Sequence, residues 1–216
     1  MQYVCMISRR DVLGLAAVLA MPLPARAGKA EAWAQKLVNS AKAQIGVTTA
    51  NDPSYRKLDF PGGDVPRQAG VCTDVIIRTF RDALDIDLQQ AVNQDMKAAF
   101  GKYPKIWGLQ RPDPNIDHRR VPNLQTYFAR IGAGMPVTSK GSDYMPGDLV
   151  TQMLPGNLAH VALVVDDRSA DQSRQLVVHN IGRGVRMEDT LFAFSITGHF
   201  RIFPARRCKS DISCAF

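Results

Sequence analysis

AHVALVVDDRSADQSRQLVVHNI, residues 159–181, reads as two β-rich runs around a polar turn. Val161–Val165 and Leu176–Val178 are short apolar segments rich in valine, and DDRSADQSR between them is built from turn formers. Strands joined this way pair antiparallel. His160 opens the first run and His179 closes the second. Residues opposite each other in such a pair are equidistant from the centre of the turn. The midpoint of the two histidines falls between Ser169 and Ala170, inside the polar turn. The expected register therefore sets the imidazoles directly opposite on one face, with Cβ atoms roughly 4.5–5.5 Å apart. A slip of one residue would put them on opposite faces. Taken singly, each histidine reads as a half-buried strand residue with a satisfied hydrogen bond.

Working outward, GDLVTQM (147–153), GVRM (184–187) and HFRIF (199–203) are further β-rich segments. The first half of the chain has a different period. Ala34, Leu37, Val38, Ala41 and Ile45 share one helical face that Gly46 ends. Ile76, Phe80, Ala83 and Leu84 mark a second helix over 73–84, and residues 86–100 a third, less regular one. Leu124, Tyr127, Phe128 and Ile131 mark a fourth, closed by Gly132. Residues 47–70 are turn-rich, and 102–120 carry three prolines and no period, as a long loop does. Helices first and strands afterwards predict an α+β fold, N-terminal helices packed on a C-terminal antiparallel β-sheet. No internal repeat or linker interrupts residues 28–216, which reads as a single domain.

The first 27 residues have the pattern of an export signal. Arg9 and Arg10 precede the short apolar run VLGLAAVLAMPL, and ARA follows as a small-x-small cleavage pattern ending at Ala27. The run is too short to span a bilayer. SRRDVLG resembles a twin-arginine signal, with an ordinary Sec signal as the alternative. The expected location is the periplasm, with no membrane insertion. The net charge of +7 is spread along the chain, without the basic stripe of a nucleic-acid-binding protein, so no nucleic-acid partner is expected.

Export implies an oxidising compartment. Cys208 and Cys214 are close enough in sequence to pair as a small tail loop, which leaves Cys72 odd. In GVCTDVIIRTF (70–80) Cys72 stands at the start of a helix. Three readings are open: a packed core residue, a partner of a tail cysteine, or a nucleophile. A helix N-terminus favours the thiolate and offers N–H groups to a substrate oxyanion. A thiol, an imidazole and an orienting polar group form the usual activated-thiol arrangement. A zinc site would need three or four tetrahedral ligands, and no Cys-x-x-Cys or His-x-x-x-His pairing supplies them, so no metal is expected.

PGGDVPRQAGVCTDVIIRTF, MPGDLV, AHVALVV and LVVHNIGRGV together resemble the NlpC-type cell-wall cysteine peptidases, a papain-like superfamily. GVCTDVIIR, DHRRVPNLQ and HNIG more closely resemble the bacterial exported domain-of-unknown-function family 1287, grouped with that superfamily. The resemblance implies a papain-like fold and a cysteine hydrolase that cleaves an amide bond in peptidoglycan stem peptides, without metal or organic cofactor. It makes Cys72 the nucleophile, His160 the general base and His179 the third residue. Tyr55 matches a tyrosine that helps hold the oxyanion, at a longer spacing from Gly62-Gly63, and Asn180 is a lesser candidate for the orienting role. Most relatives have Asp-Cys-Ser-Gly where this chain has Val71-Cys72-Thr73-Asp74, which makes Asp74 a candidate substrate contact. The DHRR loop adds His118, Arg119 and Arg120, since arginine forks fit carboxylates; a solvated loop paired with itself is the alternative. No partner for His118 or His199 is legible. Two other functions use the same residues: a non-catalytic envelope module in which Cys72 is packed, and a Cys–His acyltransferase.

Overall fold

The computed structural model describes residues 25–202. The expected leader, apart from its last three residues, and Cys208 and Cys214 lie outside the described residues. In chain order the elements are α1 (Ala25–Lys42), β1 (Ala50–Asn51), β2 (Ala69–Gly70), α2 (Cys72–Leu84), α3 (Leu88–Ala99), α4 (Val121–Arg130), β3 (Gly134–Met135), β4 (Leu149–Leu154), β5 (Leu158–Arg168), β6 (Gln175–Asn180), β7 (Val185–Glu188) and β8 (Ser195–Phe200). The fold is α+β, with the helices N-terminal. A six-stranded antiparallel sheet has the order β3-β8-β4-β5-β6-β7. β1 and β2 form a short parallel pair that the sequence periodicity did not signal. No helix among the described residues is long and apolar enough to cross a membrane.

The apolar run of β5 is continuous because both its faces are buried. Val161, Leu163 and Val165 join the core under the helices, with Leu37, Ile76, Phe80 and Leu124. Ala162 and Val164 point the other way, into a smaller cluster with Tyr144, Val150, Val177 and Leu191. Burying a side chain such as Leu163 contributes about 1.5–3 kcal/mol.

The β5–β6 hairpin departs from the expected register. Leu163 pairs with Val178 and Val164 with Val177, and the register shifts again before Arg168 pairs with Gln175. Continued along the strands, this sets Ala162 across from His179. The histidines are therefore diagonal neighbours, displaced by two residues from direct opposition, and an even displacement keeps them on one face. The cause is the turn. The Asp171 carboxylate accepts from Ser169 Oγ, Ser173 N–H and Ser173 Oγ, while Ser169 N–H bonds to Arg174 O at 2.9 Å. This self-bonded Asx turn is centred further along the chain than composition alone indicates.

One cation holds the loop ahead of α2. Arg78 is fully buried. Its guanidinium donates to both Asp64 carboxylate oxygens, to Thr48 Oγ1 and to the carbonyls of Val65 and Ala69, at 3.0–3.2 Å. Residues 64–70 are thereby fastened to α2, and the chain leaves them through Val71 into Cys72.

Candidate active site

Cys72 is the first residue of α2, a free and half-buried thiol. The segment that carries it is fixed from several sides. Val71 N–H donates to Asp74 Oδ2 at 2.7 Å, closing the first turn from below. Gly70 leaves room for that carboxylate: a Cβ there would lie 3.0 Å from Asp74 Oδ2. Asp74 also accepts from Arg119 Nε and Nη2, each at 2.9 Å. Two further Arg119 donors go to Ser54 O and Asp52 O, and Thr73 Oγ1 donates to Arg119 O. Asn180 Nδ2 reaches Gly70 O at 2.9 Å from the end of β6.

Asp74 and Arg119 were expected to contact substrate, and Arg119 does line the cleft that also holds Cys72. Both are buried and bonded to each other, so their hydrogen-bonding capacity builds the frame of the nucleophile loop. Asn180 likewise ties β6 to that loop, and its Oδ1 accepts from Gly182 N–H. It does not orient His160.

The β5–β6 pairs end at Leu163 and Val178. Beyond that point the start of α2 meets β5, and the Val161 N–H is directed at the Cys72 sulfur. Cys72 and His160, the chain neighbour of Val161, line one cleft of about 500 Å³. His160 Nε2 lies 3.0 Å from His179 Nδ1, and His179 Nε2 lies 2.8 Å from Glu188 Oε2. Glu188 was not singled out from the sequence. Its strand partner is Val177, so it is diagonal to His179 as His179 is to His160. The line runs across β5, β6 and β7.

The carboxylate sets the direction of every proton in this line. Glu188 only accepts, so His179 Nε2 carries hydrogen. In neutral His179, Nδ1 then accepts, so His160 Nε2 carries hydrogen as well. His160 Nδ1 is left as the free lone pair, which is the atom a general base needs. Burial pushes His160 down to about 3, with the neighbouring His179 adding to the effect. Burial also lowers His179, against the opposing pull of Glu188. Burial pushes the Cys72 thiol up to about 11, although the N–H groups of Val161, Thr73 and Cys72 pull the other way. The expected gain of thiolate from the helix N-terminus is overridden. The resting pair is a neutral thiol beside a neutral imidazole.

Two other expected site residues lie elsewhere. Tyr55 is exposed, with its hydroxyl bonded to Asp113 Oδ2 and Asn115 Nδ2 over a separate cavity. It does not reach the cleft, because the chain between it and Gly62-Gly63 carries it outward. His118 is buried with Nδ1 unpartnered, and burial holds it down at about 3. It too lies off the cleft. Arg120 does line the cleft. His199 has partners in Asp148 Oδ2 at 2.8 Å and Pro136 O at 3.1 Å, a buried link between strands. Among the described residues no group of three or more His, Cys, Asp or Glu is arranged to hold a metal ion.

A family model described as "Domain of unknown function (DUF1287)" matches residues 38–202. The uncharacterized protein YijF of Escherichia coli (strain K12) is 48% identical over 167 residues, which cover 77% of this chain and 80% of that protein.

Proposed function

The chain belongs to the DUF1287 family, and we propose that it is a cysteine-dependent amide hydrolase. The observation that carries the proposal is that Cys72 and His160 line one cleft, with His160 hydrogen-bonded to His179 and His179 in turn to Glu188. In the reaction, Cys72 Sγ attacks the amide carbon as its proton passes to His160 Nδ1. His160 then delivers that proton to the leaving nitrogen, the C–N bond breaks, and a thioester and a free amine result. Water attacks the thioester carbon, giving a proton to His160 that returns to the sulfur. The products are an amine and a carboxylic acid. The Cys72 and Thr73 N–H groups at the start of α2, which are directed at the sulfur at rest, serve the oxyanion.

A helix-borne thiol ahead of two sheet-borne histidines is also the order of the NlpC-type papain-like peptidases. That order supports assigning the fold to them, and supports peptidoglycan stem peptides as the substrate. The leader pattern over residues 1–27 supports a periplasmic location. The test is digestion of purified sacculi by the protein and by Cys72→Ala, with released muropeptides compared by chromatography. Identical profiles from the two would remove the hydrolase reading.

The deep placement of the sulfur favours one second reading, a non-catalytic envelope protein in which Cys72 is a packing residue. In that case Cys72 resists alkylation at every pH until the protein unfolds.

A further inference from the structure

We infer that Arg120 and Trp107 form a carboxylate-anchoring subsite in the cleft of Cys72, so that the amide accepted there carries a free carboxylate. The inference rests on the reading of Cys72 as the nucleophile.

The cleft lining is largely apolar, with Val71, Ile116, Val121 and Leu158 among its walls. Among the described residues its only charged side chains are Arg119 and Arg120, and no carboxylate lines it. Four of the five Arg119 N–H donors are taken, by Asp74 and two carbonyls, whereas Arg120 has a single pairing. One nitrogen, Nη1, donates to Asp117 Oδ1 at 3.0 Å. Among the described residues the Nε and Nη2 donors have no partner, and they are not sealed from solvent. They form one complete edge of the guanidinium, the edge that fits a carboxylate with two parallel hydrogen bonds. The plane of the group is held by Trp107, whose ring centroid lies 4.1 Å from Arg120 Cζ. A stacked, singly paired arginine loses little freedom on binding.

Asp117 does not cancel this site. It is buried, and its other oxygen is taken by the Asp113 N–H at 2.5 Å. It fixes Nη1, and the open edge belongs to a side chain that lines a largely apolar cleft, where a charge-assisted hydrogen bond is stronger than in water.

The test uses N-iodoacetyl ω-amino acids with one to five methylenes, each beside its carboxamide, at a pH where Cys72 alkylates measurably. The expected result is a chain length at which the acid labels Cys72 faster than the amide. At that length Arg120→Gln should lower the acid-to-amide rate ratio about tenfold. Arg120→Lys should recover part of the ratio. Arg111→Gln, which removes an exposed charge outside the cleft, should leave it unaltered. An acid-to-amide ratio equal in the protein and in Arg120→Gln at every length overturns the subsite. Binding of the N-acetyl acids and amides to Cys72→Ala, followed by Trp107 fluorescence, reads the subsite without the thiol. An acid preference that survives there while Cys72 fails to label sinks the nucleophile and keeps the subsite. Equal binding of acids and amides sinks the subsite.

Discussion

The protonation state of Cys72 is open to direct measurement through alkylation by iodoacetamide, because only the thiolate reacts. Held up at about 11, the thiol is ionised at pH 7 in about one molecule in ten thousand. An unperturbed cysteine, near 8.5, is ionised in roughly one in thirty. Cys72 in the folded protein should therefore alkylate about 300-fold more slowly than a free thiol at pH 7. Its rate should climb close to tenfold per pH unit from 6 to 10. Intact mass with peptide mapping, against Cys72→Ala, separates Cys72 from the other cysteines. Denaturant should abolish the difference. The outcome that refutes the reasoning is a fast rate that is flat from pH 5 to 8. Such a plateau means a thiolate–imidazolium pair at rest, with the helix N-terminus and His160 prevailing over burial. The neutral pair has a mechanistic consequence. In the proposed hydrolase the proton would leave the sulfur only as the sulfur attacks, so His160 would act within the bond-forming step and not before it.

Replacing Glu188 with Leu removes the acceptor that orders the two histidines. Because Glu188 is 42% exposed, water compensates in part. The fall in kcat is expected near tenfold, far below the ~10⁴ loss for a buried triad carboxylate, with KM little changed; an unaltered kcat would show that Glu188 does not order the line. Tyr55→Phe should change cleavage by less than about twofold, and a large loss would restore it to the oxyanion site. Asp74→Ala leaves Arg119 buried and uncompensated and should cost about 3–5 kcal/mol in urea unfolding. His118 is neutral when folded, at about 3, whereas unfolded histidine takes up a proton near 6.5. Its contribution is intact above pH 6.5 and is lost as pH falls from there towards 3, by about 1.4 kcal/mol per unit. His118→Gln should flatten the pH dependence of Tm in that window by this amount, and an unchanged slope would show that His118 is charged in the folded state.

Long-range order was legible where periodicity was strong. The helices α1, α2 and α4 and the strands β4 to β6 follow from apolar spacing, because one face or both must be buried. The β1–β2 pair was not legible. Its four residues carry no period, and it forms because Thr49 and Ala50 N–H groups find Gln68 O. At the site, the pairing of His160 with His179 could be derived from parity alone, but its register could not, since that depends on how Asp171 folds its own turn. Glu188 was hidden for a different reason: a glutamate in a short edge strand looks like any solvated residue until its cross-strand neighbour is known. Asp74 and Arg119 were found as a motif and misread in role. Sequence distance hides a buried pair 45 residues apart, and its bonding shows only when each donor is followed to its acceptor.

The turn after β5 ties the His160–His179 contact to chain length in a way that natural variation must respect. Insertions and deletions accumulate most easily at exposed hairpin tips. Here a change of one residue between Ser169 and Arg174 that propagates into the ladder turns His179 to the other face of the sheet. A change of two restores the face and moves the histidines into direct opposition or out of reach. Functional relatives should therefore keep this tip at constant length, or absorb each added residue in a bulge ahead of Gln175. The hairpin tip is held by the arithmetic of the strands beneath it.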